Sequence, residues 1–160
     1  MIAPREALTD FEAEIHRFFS GTGPLARDSR FEYRLPQQEM AVAVARALEQ
    51  NRCLTVEAGT GVGKSLAYLA PAILLARRSN RKAIVSTHTI NLQEQLFHKD
   101  IPLLRKALGE DFQTVLYKGR QNYLCSRRLR KALEQADSLF VTGELAELQR
   151  IRQWAAQSRD

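Results

Sequence analysis

The stretch Glu57-Ala-Gly-Thr-Gly-Val-Gly-Lys-Ser65 combines three glycines with a lysine and a serine. Small residues let backbone N–H groups converge on phosphate oxygens, and a helix that begins at Lys64 points its positive end at the same anion. The Lys64 ammonium suits the β- and γ-phosphates of ATP, and the Ser65 hydroxyl suits the shell of Mg²⁺. We therefore predict a site for ATP and Mg²⁺, with Lys64 and Ser65 as its catalytic residues. The predicted nucleotide-binding loop residues are Ala58, Gly59, Thr60, Gly61, Val62, Gly63, Lys64 and Ser65.

The elements around this loop follow the order that a phosphate-binding loop requires. An apolar strand candidate precedes it and a helix follows it. The predicted strands are Cys53–Glu57, Lys82–Thr87 and Gln113–Tyr117. Helical spacing is predicted at 5–20, from Pro36 to about Asn51, from Lys64 with a kink or break at Pro71, after Ile90, from Pro102, at 124–136 and at 143–158. This alternation predicts an α/β fold, a parallel sheet with flanking helices, followed by a helical C-terminal segment.

Composition narrows the class of protein. The formal charge of +6 favours a polyanionic partner. The two cysteines are too few for a disulfide framework, and we expect Cys53 to be a buried hydrophobe in its strand. Apolar runs stay well short of the roughly 18 residues of a membrane span, and the N-terminus carries early acids in place of the apolar core of a secretion signal. We therefore expect a cytoplasmic protein with no membrane partner.

The loop departs from the general pattern G-x-x-x-x-G-K-[ST], because Ala58 replaces the first glycine. That position ends a strand and does not need a positive φ, so a small Cβ is tolerated. A loop of this form resembles that of superfamily 2 helicases. The resemblance implies a RecA-like, P-loop NTPase fold for the sheet.

The segment Phe31-Glu-Tyr-Arg-Leu-Pro-Gln-Gln-Glu-Met40 is similar to the R-x-P-Q-x-x-M adenine-reading segment of the iron–sulfur helicases typified by DinG and XPD. The resemblance implies that Gln37 reads the adenine edge, since an amide both donates and accepts. It also adds Arg34 to the nucleotide-binding residues, and Tyr33 or Phe31 could pack on the base. The alternative is an ordinary helix N-terminus with polar residues in its first turn.

Two further segments imply contact with nucleic acid. Val85–Gln95 looks like motif Ia of the same family, which implies that Thr87 and His88 touch the backbone of single-stranded DNA. A helix start capped by Thr89 explains the same residues, and both interpretations can hold together. Lys118 and Arg120 begin a basic stretch, 118–131, in which tyrosines alternate with positive charge, as suits single-stranded DNA. A solvated helix face is the alternative.

The segment Tyr117-Lys-Gly-Arg-Gln-Asn-Tyr-Leu-Cys125 is very similar to the DinG-type K-G-R-x-N-Y-L-C. In that family the cysteine is the first of four ligands to a [4Fe–4S] cluster. The sequence has no third cysteine, and Cys53 belongs to the strand before the nucleotide loop. Either the other ligands lie beyond residue 160, or this member of the family has lost them. We therefore expect no cluster in this chain, and Cys125 could be a ligand only within a longer one.

An ATP-driven motor also needs an acidic pair that closes an apolar strand, written D-E-x-H in DinG-like proteins. The sequence contains no such box: Asp137 precedes its apolar run, and Asp100 and Asp111 have no strand before them. We therefore expect a truncated piece of a longer helicase, or a gene remnant, that resembles the family over about residues 8–160.

The resemblance divides the chain into an N-terminal helix and arm at 1–35, a partial RecA-like motor domain at 36–123, and a helical segment at 124–160. The whole protein would be an ATP-dependent DNA helicase that couples hydrolysis to 5′-to-3′ movement on single-stranded DNA. The chain alone should bind ATP or ADP weakly and hydrolyse essentially none. Without the remainder of the helicase, its exposed sheet edge should lead to self-association or to rearranged helices.

Two other classes fit parts of the pattern. A small-molecule kinase can use the same loop, but the loop lies far inside the chain and Lys82–Thr87 ends without an acid to hold an acceptor hydroxyl. A non-catalytic nucleic-acid-binding module agrees with the missing acidic box and with the basic stretch.

Overall fold

The computed structural model describes residues 7–136 and 140–158. They form two compact units, which divide between Leu116 and Tyr117. Helices and turns supply the regular structure of both units, and none of the described helices has the length and apolarity that a membrane crossing requires.

Within the described ranges, the first unit contains five α-helices and the second contains two. In the first unit they are α1 (Asp10–Phe18), α2 (Leu35–Glu49), α3 (Lys64–Arg78), α4 (Ile90–Gln95) and α5 (Ile101–Leu108). A 3₁₀ turn at Pro24–Arg27 follows α1, and a π-helical turn at Leu96–Asp100 joins α4 to α5. The second unit has a 3₁₀ turn at Arg120–Asn122, then α6 (Ser126–Glu134) and α7 (Thr142–Gln157). The periodicity of the sequence predicted all seven helices.

Helix α1 is fixed at its start by a capping box. The Thr9 hydroxyl accepts the Glu12 N–H over 3.1 Å, and the Glu12 carboxylate accepts the Thr9 N–H over 3.3 Å. Phe11, Ile15 and Phe18 recur at helical spacing and are buried. This apolar stripe packs α1 against α2.

A buried ion pair adds a polar link between α1 and α2. The Glu12 side chain is 2% exposed and accepts Arg46 Nε over 2.6 Å and Nη2 over 3.1 Å. Hydrogen bonding from Arg46 lowers the pKa of the Glu12 carboxyl, and burial opposes this by raising it. The pair therefore keeps a buried carboxylate charged and bonded to two nitrogens of one guanidinium.

Helix α2 also packs against α3, the helix that begins at the phosphate-loop lysine. Ala41 and Ala45 of α2 and Ala67 and Ala70 of α3 are fully buried in the same core. Small side chains at a helix contact allow the two axes to approach closely. The helix α3 continues through Pro71, which is buried, so the chain does not break there as the sequence suggested it could.

The same type of C-terminal motif ends both α2 and α3. Asn51 and Asn80 adopt left-handed backbone, with φ of 51° and 50°. The amide after each asparagine donates a hydrogen bond back into the helix. The Arg52 N–H donates to Ala47 O over 2.9 Å, and the Arg81 N–H donates to Ala76 O over 2.8 Å. These are Schellman ends, in which asparagine takes the position that glycine usually holds. Each motif stops its helix directly before a segment predicted to be a strand.

The predicted parallel sheet is not confirmed, because the three strand candidates carry no regular structure in the described ranges. Cys53–Glu57 and Lys82–Ser86 are exposed, and Ile84 is 92% exposed. Gln113–Tyr117 alternates between exposed and half-buried residues, as an extended backbone should. A strand exists only where another strand accepts its hydrogen bonds. The prediction that Cys53 is buried is wrong for the same reason, since no neighbouring strand covers its side chain.

Candidate nucleotide site and nucleic-acid surface

The glycine-rich loop joins the exposed segment at 53–57 to the first turn of α3. Gly61 and Gly63 adopt left-handed backbone with φ of 81° and 83°, and Gly63 is the N-cap of α3. Open space lies where a Cβ would stand at Gly59 or Gly61. The loop can therefore turn sharply into a helix N-terminus and leave room above its backbone for an anion.

The Lys64 side chain folds back across the loop. Its ammonium donates to the Ala58 carbonyl over 2.8 Å and to the Gly59 carbonyl over 2.6 Å. Both acceptors are neutral main-chain oxygens, which bind an ammonium less strongly than phosphate oxygens do. The contacts place the positive charge over the loop, where an arriving phosphate would meet it.

Gln37 lies in the first turn of α2 and braces the other end of the loop. It is 3% exposed, and its Nε2 donates to the Gly63 carbonyl over 2.9 Å. A Cβ at Gly63 would stand 2.2 Å from that nitrogen, so a larger residue would have to displace the Gln37 side chain and would also be strained by the positive φ. The structure thus gives Gln37 a role within the protein, and its contact with adenine remains a prediction.

Arg34 forms a second bridge to the loop. Its Nη1 donates to the Gly61 carbonyl, while its Nη2 donates to the Glu32 carboxylate over 2.7 Å.

Phe31 and Tyr33, the two rings that could stack on a base, differ in their surroundings. Phe31 is partly buried against the core, whereas Tyr33 is about half exposed and its hydroxyl donates to Gln38 Oε1 over 3.0 Å. Of these two rings, Tyr33 is the more accessible to a base.

Ser65, the predicted Mg²⁺ ligand, belongs to a small polar cluster that the sequence did not reveal. Burial raises the pKa of the Asp100 carboxyl, and hydrogen bonds from Gln95 and Ser65 and the charge of Lys99 oppose that rise. Burial likewise raises the pKa of Tyr68, which the Ser65 hydroxyl lowers through a hydrogen bond. Ser65 therefore influences the pKa of both side chains.

Asp100 was discounted in the sequence because no strand precedes it. It lies instead at the end of the π-helical turn, which packs against α3. One signal in the sequence marks it as unusual, because Leu96, Asp100 and Leu104 share a helical stripe and all three are buried. An acid within an apolar stripe needs a polar partner inside the protein.

The residues of the loop fit a Mg²⁺–nucleotide. One ammonium, one hydroxyl and the N–H groups at the start of α3 form the donor set that phosphates and an oxygen-seeking cation require. Within the described residues, no group of three or more His, Cys, Asp or Glu side chains is placed to hold a metal ion. The assignment of Ser65 as a Mg²⁺ ligand remains a prediction.

The motif Ia residues Thr87 and His88 lie where the segment 82–87 leads into α4. The Thr89 hydroxyl accepts the Leu92 N–H over 3.3 Å and caps α4, as the capping alternative predicted. Thr87 donates its hydroxyl to the Thr89 carbonyl over 3.3 Å, and His88 is exposed. A contact of Thr87 or His88 with DNA remains a prediction.

In the second unit, two tyrosines form an exposed aromatic pair. The rings of Tyr117 and Tyr123 lie 6.0 Å apart with a 40° tilt, and Tyr117 is 81% exposed. The Tyr123 hydroxyl accepts the Lys118 N–H over 2.9 Å, which closes the segment around the 3₁₀ turn that begins at Arg120. The structure thus brings Lys118 and Arg120 next to two stacking surfaces.

Cys125 stands at the N-cap of α6 and is exposed. Hydrogen bonds from the Arg128 and Arg127 backbone amides and the charges of both side chains lower the pKa of its thiol, with the Arg128 amide contributing most. A lowered pKa favours the thiolate, the form that binds metals.

Comparison with known proteins gives a consistent result. Residues 36–155 match the family described as DEAD/DEAH box helicase. The chain is 43% identical over 149 residues to ATP-dependent DNA helicase YoaA of Haemophilus influenzae, covering 91% of this chain and 22% of that protein. It is 42% identical over 136 residues to ATP-dependent helicase DinG of Mycobacterium tuberculosis, covering 75% of this chain and 20% of the relative. The chain thus spans about a fifth of the length of the curated relatives it matches.

Proposed function

The chain belongs to the DEAD/DEAH box helicase family, and we propose that it forms the nucleotide-binding part of an ATP-dependent DNA helicase. The observation that supports this most is the turn from the glycine-rich loop into α3, with left-handed Gly61 and Gly63 and the Lys64 ammonium over the loop. The two relatives described above are named as ATP-dependent helicases. ATP and Mg²⁺ are the ligands that this site suits best.

Each loop residue has a distinct task in this proposal. Lys64 exchanges its carbonyl partners for phosphate oxygens and balances their charge. Ser65 offers its hydroxyl oxygen to Mg²⁺, which neutralises phosphate charge when it is bound. The backbone from Ala58 to Gly63, with Thr60 and Val62 at its turn, surrounds the phosphates, and Gln37 and Arg34 hold the loop from the α2 side.

The RecA-like parallel sheet is part of the same proposal. The segments 53–57, 82–87 and 113–117 carry no regular structure and are largely exposed, and they would form strands once neighbouring strands pair with them in the whole protein. The domain division expected from the sequence belongs to the same proposal: 36–123 would be part of a motor domain, between an N-terminal arm at 1–35 and a helical segment at 124–160.

We propose single-stranded DNA as the nucleic-acid partner. Thr87 and His88 would contact its phosphates from the first unit. Lys118 and Arg120 would do so from the second unit, where Tyr117 and Tyr123 offer stacking surfaces.

Two further parts of the proposal rest on the family resemblance. The direction of movement along single-stranded DNA, 5′ to 3′, is the first. In a longer chain Cys125 would supply one ligand to a [4Fe–4S] cluster, and the lowered pKa of its thiol supports this role by making the thiolate easier to form.

The nucleotide site can be tested on the chain itself with a fluorescent ATP analogue and Mg²⁺. We expect weak binding by the unchanged chain and loss of binding by Lys64→Ala. Lys82→Ala removes the same charge from an exposed position outside the loop and serves as the control. Equal binding by the Lys64→Ala and control variants would refute the loop assignment. A phosphate-release assay on the same samples should show essentially no hydrolysis.

A further inference from the structure

We propose that Gln38 is a positioning residue for the nucleotide base: its side-chain amide ties Tyr33 to the last turn of α1 and so holds the Tyr33 ring as a surface on which the base stacks. This inference rests on the nucleotide site proposed above and deepens it. Gln38 would act through Tyr33, and not by direct contact with the nucleotide.

The Gln38 side chain uses both ends of its amide inside the protein. It is 3% exposed, and its Nε2 donates to the His16 carbonyl over 2.7 Å. Because a carbonyl can only accept, the amide nitrogen must face His16, and the amide oxygen is left for another donor. That oxygen accepts the Tyr33 hydroxyl over 3.0 Å. One buried side chain of α2 therefore connects α1 to an aromatic ring that stands just before α2.

Helix stability explains only one half of this arrangement. The last carbonyls of a helix lack partners within it, so the bond from Gln38 to His16 O stabilises the end of α1. The bond to Tyr33 does not serve that purpose. The Tyr33 side chain is 45% exposed, although its hydroxyl is bonded to a buried group. The bond thus orients a ring that the protein leaves open to solvent, whereas a tyrosine that only filled the core would bury its ring.

The segment that carries this ring is joined to the phosphate loop at two points. Arg34, the residue after Tyr33, donates to the Gly61 carbonyl. Gln37 donates to the Gly63 carbonyl over 2.9 Å. Adjacent Cα atoms are about 3.8 Å apart, so Tyr33 stands one residue away from a contact with the loop. A nucleotide's ribose separates its base from its phosphates, so with the phosphates in the loop the base must lie beside it.

The chemical argument concerns the freedom of the Tyr33 ring. Its neighbour Gly21 adds no side chain that would cover it, since a Cβ built at Gly21 would stand 3.9 Å from Tyr33 Cβ. Every base has a π-face, and stacking on an aromatic ring adds affinity without any hydrogen bond to the base edge. A ring already held by its hydroxyl loses less freedom when a base arrives, so more of the stacking energy appears as affinity. Fixing the ring should therefore favour a nucleotide over phosphates alone.

The test measures how well ATP and inorganic tripolyphosphate displace a fluorescent ATP analogue from the 160-residue chain in Mg²⁺. Gln38→Met keeps the length of the side chain and removes both hydrogen-bonding groups, and circular dichroism checks its fold. We expect its ATP affinity to fall about 2- to 10-fold, the equivalent of one hydrogen bond, with an unchanged affinity for tripolyphosphate. Tyr33→Phe keeps the ring without its hydroxyl and should behave in the same way. Gln113→Met makes the same change at an exposed position and should alter neither affinity.

Two further variants distinguish positioning from a general structural effect. Tyr33→Ala removes the stacking surface and should lower ATP affinity about 5- to 100-fold. In a Tyr33→Phe background, Gln38→Met should cause no further loss, because the hydroxyl that Gln38 holds is absent. If Gln38→Met does not fold, Tyr33→Phe decides alone.

Unchanged ATP affinity in Tyr33→Phe, or a loss in Gln38→Met that is equal for ATP and tripolyphosphate, overturns the inference. The nucleotide site itself stands in that case if Lys64→Ala still loses both ligands. Absence of ATP binding by the unchanged chain overturns the site, and this inference with it.

Discussion

The side-chain amide of Gln37 donates to the carbonyl oxygen of Gly63 over 2.9 Å, although 26 positions separate the two residues. Gly63 O also accepts the Ala67 N–H over 3.3 Å, as the first hydrogen bond of α3. The first turn of α2 is therefore joined to the point where the phosphate loop becomes a helix. A nucleotide that displaces Gly63 on binding would therefore also displace the Gln37 side chain or break its hydrogen bond.

We expect alanine substitutions in the loop to separate backbone strain from steric clash. Gly61→Ala places a side chain at positive φ in open space, which should cost about 1–2 kcal/mol of unfolding free energy. Gly63→Ala adds a clash with Gln37 to the same strain and should cost more. Urea unfolding without nucleotide measures both.

Gly59→Ala is the control for this series, because Gly59 has neither a positive φ nor a neighbour within 4 Å of an added Cβ. Its unfolding free energy should stay within about 0.5 kcal/mol of the unchanged chain. Adding Gln37→Ala to Gly63→Ala should remove the clash and bring that variant close to Gly61→Ala. A double variant that is no more stable than Gly63→Ala would contradict the steric clash between Gln37 and a side chain at position 63.

We expect Glu12→Gln to destabilise the first unit, because it removes the charge from the buried partner of Arg46. Glutamine keeps the capping position, so the change isolates the ion pair. Because the Arg46 side chain is 40% exposed, the loss should lie between that of a surface pair and that of a buried pair, about 1–2 kcal/mol. Chemical unfolding at neutral pH measures it, with Glu14→Gln as the control for an exposed pair with Arg78.

The same variant should show a dependence on pH. The pKa of Glu12 is lower in the folded chain than its ordinary value of 4.5. Its contribution is therefore fully present above that value and is lost as the pH falls through the lower, folded pKa. The stability difference between the unchanged chain and Glu12→Gln should shrink below about pH 4.5. A constant difference across that range would contradict the assignment.

Local patterns predicted the helices and the phosphate loop, because each depends on nearby residues. The stripe of Phe11, Ile15 and Phe18, and the glycines at 61 and 63, contain most of the information that α1 and the loop require. The strands were not predictable in the same way. Segments such as Lys82–Thr87 have the composition of strands, but pairing depends on partners distant in the sequence.

The polar contacts of the site also depend on tertiary structure. Resemblance assigned Gln37 to adenine, but its bond to Gly63 follows from how α2 packs on α3, which no local pattern encodes. The buried position of Asp100 was not predicted, because it lies in a π-helical turn whose packing against α3 depends on residues distant in the sequence. An acid in a buried helical stripe is the signal that would have identified it.

We expect the aromatic pair and the basic residues of the second unit to contribute to DNA binding in different ways. Tyr117→Ala should lose about 1–3 kcal/mol of binding free energy for single-stranded DNA, with an unchanged salt dependence, because stacking does not release counterions. Arg120→Ala should lower the slope of log affinity against log salt by about 0.7. Titration of a fluorescent oligothymidylate at several salt concentrations measures both.

Two exposed residues of α7 provide matched controls for that experiment. Trp154→Ala removes an exposed aromatic ring and Arg150→Ala an exposed charge, both outside the tyrosine segment. Both variants should bind DNA as the unchanged chain does. If Trp154→Ala weakens binding as much as Tyr117→Ala, DNA bases do not stack specifically on the Tyr117–Tyr123 pair.

Ile84 tests whether the exposed extended segments cause self-association. It is 92% exposed, so Ile84→Asp removes no packing and should change the unfolding free energy by less than about 0.5 kcal/mol. A charge on an unpaired strand segment opposes edge-to-edge pairing. We therefore expect analytical ultracentrifugation to show less self-association for Ile84→Asp than for the unchanged chain. Ile90→Asp adds the same charge at an exposed isoleucine on α4 and should leave self-association unchanged. Equal reduction by both variants would mean that net charge, and not the strand segment, controls association.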